Sequence, residues 1–74
     1  MPRLPELPVR RVLAALESAG FREVRRRGSH RFLVHGDGRT LVFAVHERER
    51  VGPKLLARIL KDAGLSANDF RRLV

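Results

Sequence analysis

Apolar residues at Val9, Val12, Leu13 and Leu16 recur at three- and four-residue steps, which places them on one face of a helix running to Ala19. Pro8 suits the first turn of that helix, and Gly20 suits a left-handed cap after which Phe21 folds back onto the last turn. Residues 1–8, with prolines at 2, 5 and 8, form an extended lead-in. A second helical stripe, Leu55, Leu56, Ile59, Leu60 and Ala63, follows Pro53 and ends at Gly64. Ser66 then opens a short last helix, with Asp69 three residues on to complete a capping box and Phe70, Leu73 and Val74 to anchor it.

Between these helices the periodicity changes to two. Phe21 to Arg27 reads as a charged strand with Phe21 and Val24 directed inward. A bend at Gly28-Ser29 leads to a strand from His30 to His35, and a third strand runs from about Arg39 to Val45 or His46. Asp37-Gly38 between two apolar runs is a hairpin signal. Taken as a two-residue loop, it pairs Val34 with Leu41, Phe32 with Phe43 and His30 with Val45, so that all six share the covered face. Arg31, Leu33, His35, Val42 and Ala44 then lie on the other side, and Phe21, Phe32, Phe43 and Phe70 all belong to the core. The order is helix, three antiparallel strands, helix, short helix. This is an α+β chain and a single domain over residues 1–74.

Composition narrows the function. The 74 residues lack cysteine, which excludes disulfides and thiolate metal sites. No apolar run is long enough to span a bilayer, and the proline-rich, charged start is unlike a signal sequence, so the expectation is a cytoplasmic protein with no membrane partner. The formal charge of +8 comes chiefly from arginine, since only Lys54 and Lys61 are lysines. Guanidinium groups grip phosphate oxygens in a planar, two-pronged way, which favours nucleic acid as partner over an acidic protein.

Gly28-Ser29-His30 sets one imidazole at the mouth of a strand, directly after Arg25, Arg26 and Arg27. Histidine exchanges a proton near neutral pH while the neighbouring cations hold a phosphate, an arrangement suited to RNA cleavage. His30 is the candidate catalytic residue. Arg25, Arg26, Arg27, Ser29, Arg31 and Lys54 are the candidate RNA-binding groups, with Arg27, Arg31 and Lys54 placed to stabilise charge on phosphorus. His35 and His46 read as surface residues. His30 and His35, five apart on one strand, face opposite ways and do not converge on a metal, and Glu47 and Glu49 alternate with arginines as ion-pairing groups.

Ala19-Gly20-Phe21, Gly28-Ser29-His30, Asp37-Gly38, Val45-His46 and the stretch from Gly52 to Ser66 occur in an order and spacing that resembles the HicA family of bacterial toxins. The resemblance covers nearly all of the chain from Val9 onward. It implies a fold like a double-stranded-RNA-binding domain, with helices on one face of a three-stranded sheet. It implies a ribonuclease without metal or other cofactor that cleaves messenger RNA and halts growth, held silent by a HicB antitoxin, with the family's catalytic histidine falling on His30. A non-catalytic RNA-binding module of the same fold is the chief alternative, and a small basic adaptor for an acidic protein is a third.

Overall fold

The computed structural model describes residues 4–46 and 48–74. A two-residue strand β1 (Leu7–Pro8) leads into α1 (Val9–Ser18). Three strands follow, β2 (Phe21–Arg27), β3 (His30–His35) and β4 (Thr40–Ala44), then a short β5 (Arg50–Val51), α2 (Pro53–Ala63) and α3 (Ala67–Leu73). The strands β2, β3 and β4 form one antiparallel sheet in that order, with β3 central. The architecture is therefore the expected α+β arrangement, α-β-β-β-α with a short closing helix. No helix of the described residues is long and apolar enough to cross a membrane.

The helices cover one face of the sheet and seal a single core. From α1 this core takes Val9, Val12, Ala15 and Leu16, and from α2 Leu56, Ile59, Leu60 and Ala63. Phe70 of α3 is fully enclosed beside them. The end of α2 and the start of α3 use the devices that the sequence announces, while α1 is capped by Ala19 in the right-handed region, one residue before Gly20. Gly64 caps α2 in the left-handed region at φ 73°, and Ser66 and Asp69 exchange reciprocal 3.0 Å hydrogen bonds at the start of α3. Arg39 donates to the Ala63 carbonyl at the exposed end of α2, satisfying an acceptor that the helix leaves without an internal partner.

The lead-in is more than an extended tail. Leu7 pairs with Val51 and Pro8 with Arg50, and the Arg50 guanidinium donates to both the side chain and the backbone carbonyl of Glu6 at 3.0 Å. This small ladder ties the chain before α1 to the chain before α2. The region expected as a charged loop thus contributes a strand, with Val51 fully buried. Of the two carboxylates expected there to pair with arginines, Glu49 lies 3.9 Å from His46. The other, Glu47, lies outside the described residues.

Two features of the sheet overturn the expected facing of its residues. The β3–β4 connection is a three-residue loop, Gly36-Asp37-Gly38, because His35 N–H donates to the Arg39 carbonyl and Gly38 N–H to that of His35. Gly38 alone in this loop has positive φ, 97°, the pattern of a type I turn completed by a glycine bulge. The extra loop residue shifts the register by one. Leu33 faces Leu41, Arg31 faces Phe43, Phe32 faces Val42 and His30 faces Ala44. The assignments on β4 stand, with Leu41, Phe43 and Val45 buried and Val42 and Ala44 outward. Those on β3 are reversed: Leu33 and Arg31 point to the helices, while His30, Phe32 and Val34 line the open face.

The second feature is a β-bulge between Glu23 and Arg25, where Val24 has no partner on β3 and is 51 % exposed rather than directed inward. On one side of the bulge Phe21 faces His35 and Glu23 faces Leu33. On the other, Arg25 faces Phe32 and Arg27 faces His30. An extra residue changes the alternation of a strand. Arg22, Arg25 and Arg27 consequently share the open face.

Candidate functional site

The β2–β3 hairpin closes through Gly28-Ser29, with Arg27 and His30 as the paired residues beneath the turn. Gly28 has φ 61° while Ser29 does not enter the positive region, which is the type II′ pattern that requires glycine first. A Cβ at Gly28 would meet nothing within 4 Å, so the glycine serves backbone conformation rather than space. The Ser29 carbonyl accepts from Val45 N–H at 3.0 Å, fastening the turn to the end of β4. The tripeptide is thus held on both sides by backbone hydrogen bonds.

His30 is exposed, on the open face, at the tip of the central strand. Arg27 stands directly across the ladder, at the roughly 5 Å Cβ separation of facing residues. Arg25 is one pleat further along β2, with its guanidinium carbon 5.8 Å from the centre of the Phe32 ring. The sequence therefore located the imidazole and two cations of a common surface, and the structure brings His30, Arg25 and Arg27 together there. Arg26 projects to the opposite side of β2, facing Arg31 across the ladder, although it too is exposed. Ser29 is half-buried beside His30. Lys54 is exposed in the first turn of α2, in the helix layer rather than on the strand face that carries His30.

Arg31 departs from expectation. Its side chain lies beneath the helices with 3 % of the residue exposed, and its Nη1 donates to Glu23 Oε1 at 2.9 Å. The Nε is buried without a hydrogen-bond partner. A guanidinium so enclosed is a structural ion pair and is not presented to a substrate on the open face. Arg22 and Phe32 were missed for the converse reason, since the register and the bulge that turn them outward were not read. The Gly-Asp-Gly composition of the loop was the available signal, because a glycine on each side of Asp37 permits the three-residue form.

His35 is not an ordinary surface residue. Its Nε2 donates to the Ala19 carbonyl at 3.0 Å, while its Nδ1 accepts the Asp37 N–H at 3.1 Å. A carbonyl only accepts, so Nε2 carries a proton, and the Asp37 Oδ1 lies 3.1 Å from Nδ1 beside that amide. The ring meets Phe21 edge-on at 5.0 Å, and Arg39 lies over the other side of that cluster, 5.3 Å from the Phe21 centre. Asp37 binds Arg39 through both its backbone N–H and its Nε. Hydrogen bonding from that backbone N–H, aided by the Arg39 side chain, holds the Asp37 carboxyl below its ordinary value of 3.8. This cluster builds the hairpin end and leaves His35 without a free nitrogen.

A recess of about 310 Å³ is lined by Gly20, Arg22, Val34, His35 and Gly36. It lies at the far end of β2 and β3 from His30, five residues or roughly 16 Å along the strand. The imidazole itself sits on an open surface, which suits an extended polymer better than a small enclosed ligand. No group of three histidine, aspartate or glutamate side chains among the described residues could hold a metal ion.

A family model described as HicA toxin of bacterial toxin–antitoxin matches residues 9–65, the span from the first residue of α1 to the turn after α2. No curated protein matches the chain by sequence.

Proposed function

From the premise that this chain belongs to the HicA toxin family of bacterial toxin–antitoxin systems, and so is a toxin, we propose that it is a ribonuclease that cleaves messenger RNA with His30 as its proton-transferring residue. The observation that carries the reading is the placement of the imidazole: exposed at the tip of β3, fixed by a two-sided backbone clasp, with Arg27 facing it across the ladder.

His30 takes the proton of a ribose 2′-hydroxyl, the 2′-oxygen bonds to the adjacent phosphorus, and the bond to the 5′-oxygen breaks. The imidazolium formed in the first step is the proton source for the departing oxygen. The products are a 2′,3′-cyclic phosphate and a 5′-hydroxyl, and no metal or cofactor takes part. Arg27, with Arg25 beside it, offsets the charge that builds on the phosphoryl oxygens, and Ser29 supplies a polar group at the turn. Arg26 and Lys54 lie off this face and serve the longer-range attraction of the polyanion. One ring doing both proton transfers supports an acceleration on the order of a hundredfold to ten-thousandfold from acid–base catalysis. That suffices for a protein whose task is to arrest growth.

The partner implied by a toxin–antitoxin system is an antitoxin, of HicB type on this reading, and the site of action is the cytoplasm. The test compares the unsubstituted protein with His30→Ala on a defined RNA. Cleavage should vanish while thermal unfolding hardly changes, since the ring is exposed. Products ending in 5′-phosphate would overturn the chemistry, and undiminished cleavage by His30→Ala would remove the histidine from it. A protein that binds RNA but never cuts it would be the non-catalytic module.

A further inference from the structure

The open face of the sheet carries more than the catalytic corner. Glu23 is the sole carboxylate in β2, β3 and β4, and it points to the helices, so the opposite face presents cations with no acidic counterpart. Arg25 and Arg27 are two residues apart and therefore about 7 Å from one another along β2, comparable with the phosphate repeat of an extended nucleic-acid strand. The bulge brings Arg22 into the same row. Beside this row, on β3, Phe32 shows its ring to the open side, two residues from His30 and directly across from Arg25.

We propose that this face is a track for single-stranded RNA, in which Arg22, Arg25 and Arg27 follow successive phosphates and Phe32 stacks one base next to the bond presented to His30. In the free protein the Arg25 guanidinium covers the Phe32 ring at cation–π distance. An arriving strand offers that guanidinium a phosphate, and a base takes its place on the ring. Unpaired bases are required, because a duplex keeps its π faces within its own stack. The unbalanced positive charge selects a polyanion over a protein surface as occupant. The inference rests on the ribonuclease reading only for the identity of the ligand.

The experiment uses the full chain and a 2′-O-methyl RNA oligonucleotide, which cannot be cleaved because the attacking hydroxyl is blocked. One position carries 2-aminopurine, whose fluorescence falls on stacking. The single strand should bind more tightly than a duplex of the same sequence, with quenching at one position. Phe32→Leu should weaken binding at least about fivefold and abolish the quench, whereas Phe32→Tyr keeps both. Equal affinity for duplex and single strand, or absence of quenching by the unsubstituted protein, overturns the proposal whatever the variants do. So does a Phe32→Leu protein that releases the antitoxin yet binds RNA normally, which would assign the face to protein. Because the probe cannot be cut, failed binding speaks against the track alone. Intact binding without His30-dependent cleavage of ordinary RNA speaks against the nuclease.

Discussion

Arg31 reaches diagonally across the ladder to Glu23 on the helix side of the sheet, their charged atoms 2.9 Å apart, with 4 % and 27 % of their side chains exposed. A salt bridge between neighbours so unequally buried leaves most of its risk with the arginine. Removing the carboxylate strands a cation in the interior, whereas removing the arginine leaves a carboxylate that still reaches water.

Glu23→Gln should therefore destabilise the protein by about 2–3 kcal/mol, somewhat below the cost of breaking a fully enclosed pair. Arg31→Leu should cost less, and cleavage per folded molecule should survive it. Urea unfolding of both variants, with activity measured well below the midpoint, checks the order. A selective loss of activity in Arg31→Leu at full stability would return Arg31 to the site.

Gly20 and Gly28 both have positive φ, but their surroundings differ. A Cβ on Gly20, at φ 105°, would come within 2.6 Å of His35 Nε2, whereas at Gly28 it would meet open space. Gly28→Ala should cost about 1 kcal/mol, the conformational penalty alone. Gly20→Ala should cost at least twice as much, roughly 2 kcal/mol or more, because it also displaces the ring from the Ala19 carbonyl. Melting temperatures of the two variants provide the comparison.

Binding of an uncleavable single strand should weaken steeply with salt. Three phosphates neutralised by Arg22, Arg25 and Arg27 correspond to a slope of log affinity against log salt of about −2. Arg25→Gln should reduce that slope by roughly one third, since one phosphate contact is lost. Titrations between low and physiological ionic strength measure it. An unchanged slope would remove Arg25 from the row.

Acid should weaken the closing helix. The Ser66 backbone N–H, followed by its hydroxyl, holds the Asp69 carboxyl below its ordinary 3.8. With the folded-state value depressed, the unfolded chain binds the extra proton first. The stabilisation is complete above the unfolded value and is lost as pH falls through the folded one. Asp69→Asn should thus be less stable than the unsubstituted protein at pH 7, and the two should converge as pH falls through the depressed folded-state value. The Ser66→Ala variant, which removes the cap at all pH values, should cost about 1 kcal/mol throughout the neutral range.

The helices were legible because burial stripes and caps coincide. Val12 and Leu16, Ile59 and Ala63, Gly64 and the Ser66–Asp69 box all agree on where each begins, faces and ends. On β4, Leu41, Phe43 and Val45 alternate cleanly and were placed correctly. β3 was ambiguous because both of its faces carry apolar residues, Phe32 and Val34 on one and Leu33 on the other. Turn length had to decide, and Gly36-Asp37-Gly38 accommodates either choice. A buried arginine then defeats the pattern altogether, since Arg31 is hidden through a partner eight residues away that no local rule selects. The β1–β5 ladder was invisible for a similar reason: two-residue strands have no periodicity, and their pairing spans most of the chain. The catalytic candidate was less exposed to these errors, because a residue adjoining a two-residue hairpin turn lies at a strand end in either register.

Val24 makes β2 tolerant in two respects. Its side chain is open to solvent and could be exchanged for many others with little harm. Its presence as a unit of chain is no more demanding. Remove it, and Glu23 and Arg25 become adjacent opposite Leu33 and Phe32 in unbroken alternation: Arg25 and Arg27 keep the open face and Arg26 the other. Evolution of this toxin is accordingly free to rewrite that position, and losing the residue would straighten the strand without turning its cations inward.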